Sequence, residues 1–123
     1  MPKTLVLLYR ESTGEAPILR WLAALPDKAR DKCVARLHRL GQMGHELRRP
    51  EADLLRNGVY ELRVGFHGIN YRMLYFFHGN IAAIVSHGLT KEREVRPIEI
   101  DRAIARMKQF MKNPSHHSME MKL

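Results

Sequence analysis

Cysteine is nearly absent from this chain: Cys33 is the only one in 123 residues. No intrachain disulfide and no cysteine metal cluster can form, and a reducing cytoplasm is the compartment that fits. Long hydrophobic runs are also missing. None spans a bilayer, and the N-terminal "MPKTLVLLYRESTGE" has neither the apolar core nor the small-residue cleavage site of a signal peptide. There is no internal repeat, no glycine-rich phosphate loop and no metal-ligand spacing, so no metal or cofactor is expected. Acidic residues are outnumbered, 13 against 21 Lys and Arg. The resulting net charge of +8 suggests an anionic partner, often nucleic acid. That charge is spread along the chain rather than gathered in a polybasic block.

What is present suits one domain with a real core. "KTLVLLYR" reads as a strand. Ile18, Leu19, Trp21, Leu22 and Leu25 share one face of a short helix. Pro26 interrupts, and Cys33, Val34, Leu37 and Leu40 repeat at helical spacing, with Pro26-Asp27 as start and Gly41 or Gly44 as stop. The two helices read as an αα-hairpin. "HELRRPEADLLRNG" has no clean period and reads as a loop ending in an Asn57-Gly58 turn. Three strands follow: "VYELRVGF", "YRMLYFF" and "IAAIVSHGL". Short links join them into an antiparallel meander. A charged loop leads to a helix from Pro97, whose apolar stripe is Ile100, Ala103, Ile104, Met107, Phe110 and Met111. The expected fold is α+β with order β-α-α-β-β-β-α. A small antiparallel-rich sheet carries the helical hairpin on one face, and the last helix partly covers the other. Residues 1–114 form the domain, and 115–123 are expected to be a flexible tail.

Two arginines stand out because strand interiors seldom hold them. In "VYELRVGF", Tyr60, Leu62, Val64 and Phe66 face one way, and Val59, Glu61 and Arg63 the other. Arg72 belongs to the neighbouring strand. If the apolar face meets the helical hairpin, Arg63 and Arg72 both point to the open side, close enough to share one phosphate. The plain structural alternatives are a salt bridge from Arg63 to Glu61 and a strand-end position for Arg72.

The element order, together with "VYELR", "YRMLYFF", "HGLTK" and the late "P-x-E-I-x-x-A" helix, resembles the RelE/HigB superfamily of bacterial toxins, in its phage-derived HigB-like branch. The motifs lie within about residues 45 to 112. The resemblance implies a RelE/ParE-like fold and the toxin of a type II toxin–antitoxin system. Its activity would be ribosome-dependent cleavage of mRNA, without a metal, through attack of the 2′-hydroxyl. Its partners would be the ribosome, mRNA and a neighbouring antitoxin, expected to carry a helix-turn-helix domain. Arg63 and Arg72 would contact RNA phosphate. The basic loop keeps His87, Gly88 and Lys91 of the family pattern, but has Leu89 for an aromatic residue and Glu92 for a second lysine. Arg93 and Arg96 would restore cationic contacts.

The chemistry explains the residue types. Charge building on the phosphoryl oxygens must be held, and a guanidinium stays charged and offers paired planar donors. The 2′-hydroxyl must lose a proton and the leaving oxygen must gain one. His87, with an ordinary pKa near ~6.5, and Lys91 are the candidates; for His87 the plain alternative is a strand-end residue bonded to backbone. Tyr71 is a candidate to stack on a base or to donate a proton. Two further readings remain open: a ParE-like, protein-binding gyrase poison, and a phage-derived binding protein without catalysis.

Overall fold

The computed structural model describes residues 3–90 and 93–123. Strand β1 (Leu5–Tyr9) leads into helices α1 (Pro17–Ala23) and α2 (Asp27–Met43), which a 3₁₀ turn (Gly44–Glu46) closes. Strands β2 (Ala52–Arg56), β3 (Val59–Phe66), β4 (Ile69–His78) and β5 (Ala82–Thr90) form the meander. Helix α3 (Pro97–Lys112) and strand β6 (Ser118–Glu120) complete the chain. The α+β fold is the one the residue pattern implied, built on a six-stranded sheet in the order β2-β3-β4-β5-β1-β6. All its neighbours are antiparallel except β1 and β5, which run parallel.

Two elements correct the sequence reading. The segment taken as a loop before Asn57-Gly58 contains β2, paired with β3 from Ala52↔Leu62 to Arg56↔Val59. It shows no apolar period because it is an edge strand, with Leu54 left exposed. Both turn residues have positive φ, 53° at Asn57 and 81° at Gly58. His67 and Gly68 repeat that pattern, at 52° and 75°, between β3 and β4. Two positive φ values in a two-residue link define the tight turn that matches strand twist. The second correction is the tail. Residues 118–120 pair with β1 (Leu8↔Met119), and His117 is buried, its ring stacked on Tyr9 at 5.5 Å. Backbone pairing to an otherwise free edge orders a segment whose composition is that of a tail.

Alternation along the strands sorts the core into two faces. On one, Leu62, Val64, Met73, Tyr75, Val85 and Leu8 meet Ile18, Leu22, Leu37 and Leu40 of the helical hairpin. Cys33 lies in this cluster, and burial pushes its thiol up to about 11. Thiol reagents should therefore label Cys33 only slowly in the native protein and rapidly in denaturant, which a chromogenic disulfide reagent measures directly. On the other face, α3 packs two small clusters: Ile100 and Ala103 on Val59, Leu74 and Leu89, and Phe110 on Phe76, Ile84 and Tyr9. Arg56 reaches Asp101 at 2.6 Å and ties β2 to this helix. The part of the face that α3 does not cover carries the arginines.

Candidate functional site

Arg63 on β3 and Arg72 on β4 are direct cross-strand partners. Paired residues in an antiparallel ladder point to the same side, so both guanidinium groups rise from the α3 face of the sheet, opposite the apolar face of β3. They line a polar pocket of about 500 Å³ with Arg36, Arg93, Glu51, Gly65 and Asn70. Four arginines against one carboxylate make it a site for anions.

The two central arginines are held differently. Arg63 is half-buried, and its guanidinium has no hydrogen-bond or ion-pair partner among the described residues. Its backbone is clamped instead: the N–H donates to the Glu51 carbonyl at 2.8 Å, and the carbonyl accepts from the Arg36 guanidinium. Arg72 is 6% exposed. Its Nη2 donates to the Arg93 carbonyl at 2.5 Å, and its Nε lies 3.4 Å from Glu61 Oε1. The salt bridge foreseen for Arg63 thus goes to Arg72. Glu61 is buried, and desolvation raises its pKa in spite of Arg72 and Arg63 nearby.

Tyr71 also lines the pocket, but it is buried and offers no open ring face on which a base could stack. Its neighbours Asn70 and Arg72 face the pocket, so alternation turns the Tyr71 ring into the opposite core, 6.3 Å from Trp21 in an edge-on contact. The expected base-stacking role is corrected on that ground. Arg93 joins the pocket. Arg96 is exposed at the start of α3 and does not line the pocket. Lys91 lies outside the described residues, as does Glu92.

His87 is also elsewhere. A bulge shifts the β4–β5 register between Leu74↔His87 and Tyr75↔Val85, leaving Ser86 unopposed. The imidazole sits beneath α3, with Nε2 3.0 Å from Glu99 Oε1 and Nδ1 2.7 Å from Ser86 Oγ. Glu99 also accepts from Arg102, and Arg106 bonds Ser86 and Glu11. Burial, with Arg106 alongside, lowers the His87 pKa to about 4. A neutral ring then donates from Nε2 to Glu99 and accepts at Nδ1 from the Ser86 hydroxyl. His87 thus serves as a tie between sheet and helix, and the strand-end bond to backbone weighed from sequence is replaced by side-chain partners. Because the folded pKa lies below the unfolded value, the unfolded state gains a proton first as pH falls. Stability is therefore present above about pH 6.5 and lost between there and pH 4, by about 3 kcal/mol for this group. Urea melts at pH 7 and 4.5 should show that loss, and His87→Gln should flatten it.

Sequence reasoning missed Arg36 and Glu51. Arg36 borders the buried α2 stripe of Cys33, Leu37 and Leu40, where a long aliphatic stem can lie along the core and send its charge outward. Nothing in the local pattern connects α2 with β3. Among the described residues, no group of three His, Cys, Asp or Glu could hold a metal ion, and no helix is long and apolar enough to cross a membrane.

A protein-family model matches residues 20–108, from α1 into α3: phage-derived protein Gp49-like (DUF891). The chain belongs to this Gp49-like family. The family is associated with the toxins of toxin–antitoxin systems, which suggests a toxin-like role and makes an antitoxin partner plausible. Among the curated proteins, none matches. The family match takes in the end of α1 and all of α2, as well as the strands that carry Arg63 and Arg72.

Proposed function

We propose that this Gp49-like protein is a toxin that cuts messenger RNA on the ribosome, with the arginine pocket as the seat of the scissile phosphate. The observation that carries the reading is the cross-strand pair Arg63–Arg72, opening into a pocket lined by Arg36 and Arg93. Strand positions hold a cationic pair more rigidly than a loop, which suits charge that develops only in the transition state. In the step envisaged, the 2′-oxygen attacks phosphorus and loses its proton. The bond from phosphorus to the 5′-oxygen breaks, and that oxygen takes up a proton. The products are a 2′,3′-cyclic phosphate and a 5′-hydroxyl end. Arg63 and Arg72 stabilise the charge on the non-bridging oxygens, and Glu61 keeps Arg72 aimed.

The resemblance to RelE/HigB toxins supports the ribosome as the setting and a small helix-turn-helix antitoxin, encoded next door, as the silencing partner. The decisive experiment is translation of a defined message with purified ribosomes, followed by mapping of RNA ends. Discrete cuts by wild-type protein that vanish in Arg63→Ala are the expected result. An intact message, with growth arrest accompanied by DNA breaks, would sink the reading in favour of a gyrase poison.

A further inference from the structure

Among the described residues, Glu51 is the one carboxylate in the lining of a pocket whose charged groups are otherwise arginines, and it sits where an anion would be expected. Its Oε2 accepts from Arg39 Nε at 3.0 Å, and its Oε1 from Arg39 Nη2 at 3.3 Å. Arg36 Nε lies 3.5 Å from the same Oε2. The forked contact with Arg39 holds the Glu51 carboxyl below the usual carboxylate range. Two guanidinium groups converging on one carboxylate present the donor pattern that also fits a phosphate. Both arginines come from α2, one turn apart, whereas Arg63 and Arg72 come from the sheet. Arg36 belongs to both sets, since its Nη1 also donates to the Arg63 carbonyl.

We propose that Arg36 and Arg39 form a second phosphate station, for a backbone phosphate flanking the one at Arg63 and Arg72, and that the Glu51 carboxylate occupies it until RNA arrives. This rests on the proposed RNA-binding role of the pocket and extends it along the strand. A single-stranded RNA must displace Glu51 from the two arginines, and the carboxylate repels the incoming phosphate until it swings away. The side chain is free to do so: Glu51 keeps its backbone bonds, Arg63 N–H to its carbonyl and its own N–H to the Arg48 carbonyl, whatever its carboxylate does. The station also gives α2 a part in RNA binding that no motif in the strands supplies.

The test is binding of a short fluorescent single-stranded RNA by the full chain across a salt series. Glu51→Gln keeps the side chain's size and removes its charge. Affinity should rise about fivefold, the sum of two surface ion pairs released. The slope of log affinity against log salt should steepen by about 0.7 for each further phosphate that the freed guanidinium groups neutralise. Glu120→Gln, on β6 and far from the pocket, makes the same change in net charge and should do neither. Adding Arg36→Ala and Arg39→Ala to Glu51→Gln should return the slope to the wild-type value or below. An unchanged slope in Glu51→Gln overturns the proposal. So does weaker binding, which would make Glu51 a strut that positions Arg36. Should neither wild type nor Glu51→Gln bind the RNA, the pocket reading falls and this inference with it. If Glu51→Gln steepens the slope while Arg63→Ala changes nothing, the second station stands and the seat at Arg63 and Arg72 is rejected.

Discussion

Arg63→Ala is expected to lower message cleavage ~100-fold or more while leaving the protein folded. The structure makes this residue the clean probe. Its guanidinium makes no hydrogen bond or ion pair among the described residues, and after its removal the buried Glu61 keeps its nearest cation, Arg72. Its backbone bonds to Glu51 and Arg36 survive truncation. A melt close to wild type with a lost cut would assign the effect to charge at the phosphate. Arg63→Lys should recover only part of the rate, because an ammonium cannot present the paired planar donors of a guanidinium. Arg72→Ala should also abolish cleavage but for mixed reasons. It leaves Glu61 buried without its nearest cation, and breaking such a pair typically destabilises by about 3–5 kcal/mol. Cleavage by Arg63→Ala within about threefold of wild type would remove the pocket from the chemistry, since a single lost donor in such a site is worth far more.

Gly88→Val should unseat the only tryptophan and destabilise the protein by about 3 kcal/mol or more, the combined size of overpacking and lost aromatic burial. Gly88 lies on β5 with the Trp21 indole flat against it. A Cβ built there would stand 2.1 Å from Cδ2 and 2.2 Å from Cε3, both atoms of the rigid indole ring system. Neither can retreat as a flexible side-chain tip would. Displacing the ring also breaks the bond from Nε1 to Thr90 Oγ1 at 2.9 Å and the edge contact with Tyr71, next in sequence to Arg72. Tryptophan emission should shift to the red, and the melting temperature should fall by roughly 10 °C. Native-like emission with a melting temperature within about 2 °C of wild type would show that α1 can shift to make room. The experiment also bears on the "HGLTK" motif. Gly88 serves the packing of α1 on the sheet, so a family-like sequence pattern can mark a close approach as readily as a catalytic loop.

The strands of the meander were legible because β3 alternates with a period of two, β4 and β5 are short apolar runs, and turn chemistry bounds all three. Alternation alone put Arg63 on the face away from Tyr60, Leu62, Val64 and Phe66, and the pairing with Arg72 follows from a two-residue turn at His67-Gly68. β2 and β6 were not legible. One is an edge strand and the other three residues long, so neither buries enough side chain to leave a periodic trace. Their order comes from backbone hydrogen bonds to strands that the local pattern does not point to. His87 was misplaced for a similar reason. A one-residue bulge at Ser86 and the arrival of α3 decide its surroundings, and neither is encoded in the residues beside it.

By itself, then, the amino-acid sequence determined the α+β class, the strong basic charge and the common face of two strand arginines, since each depends on local periodicity or composition. Tertiary structure alone decided which groups share the pocket: Arg36 and Glu51 were brought in, the Tyr71 ring was buried at its margin, and His87 was turned away. Those placements hang on contacts between residues well separated along the chain, and a local pattern carries no record of what will fold against it.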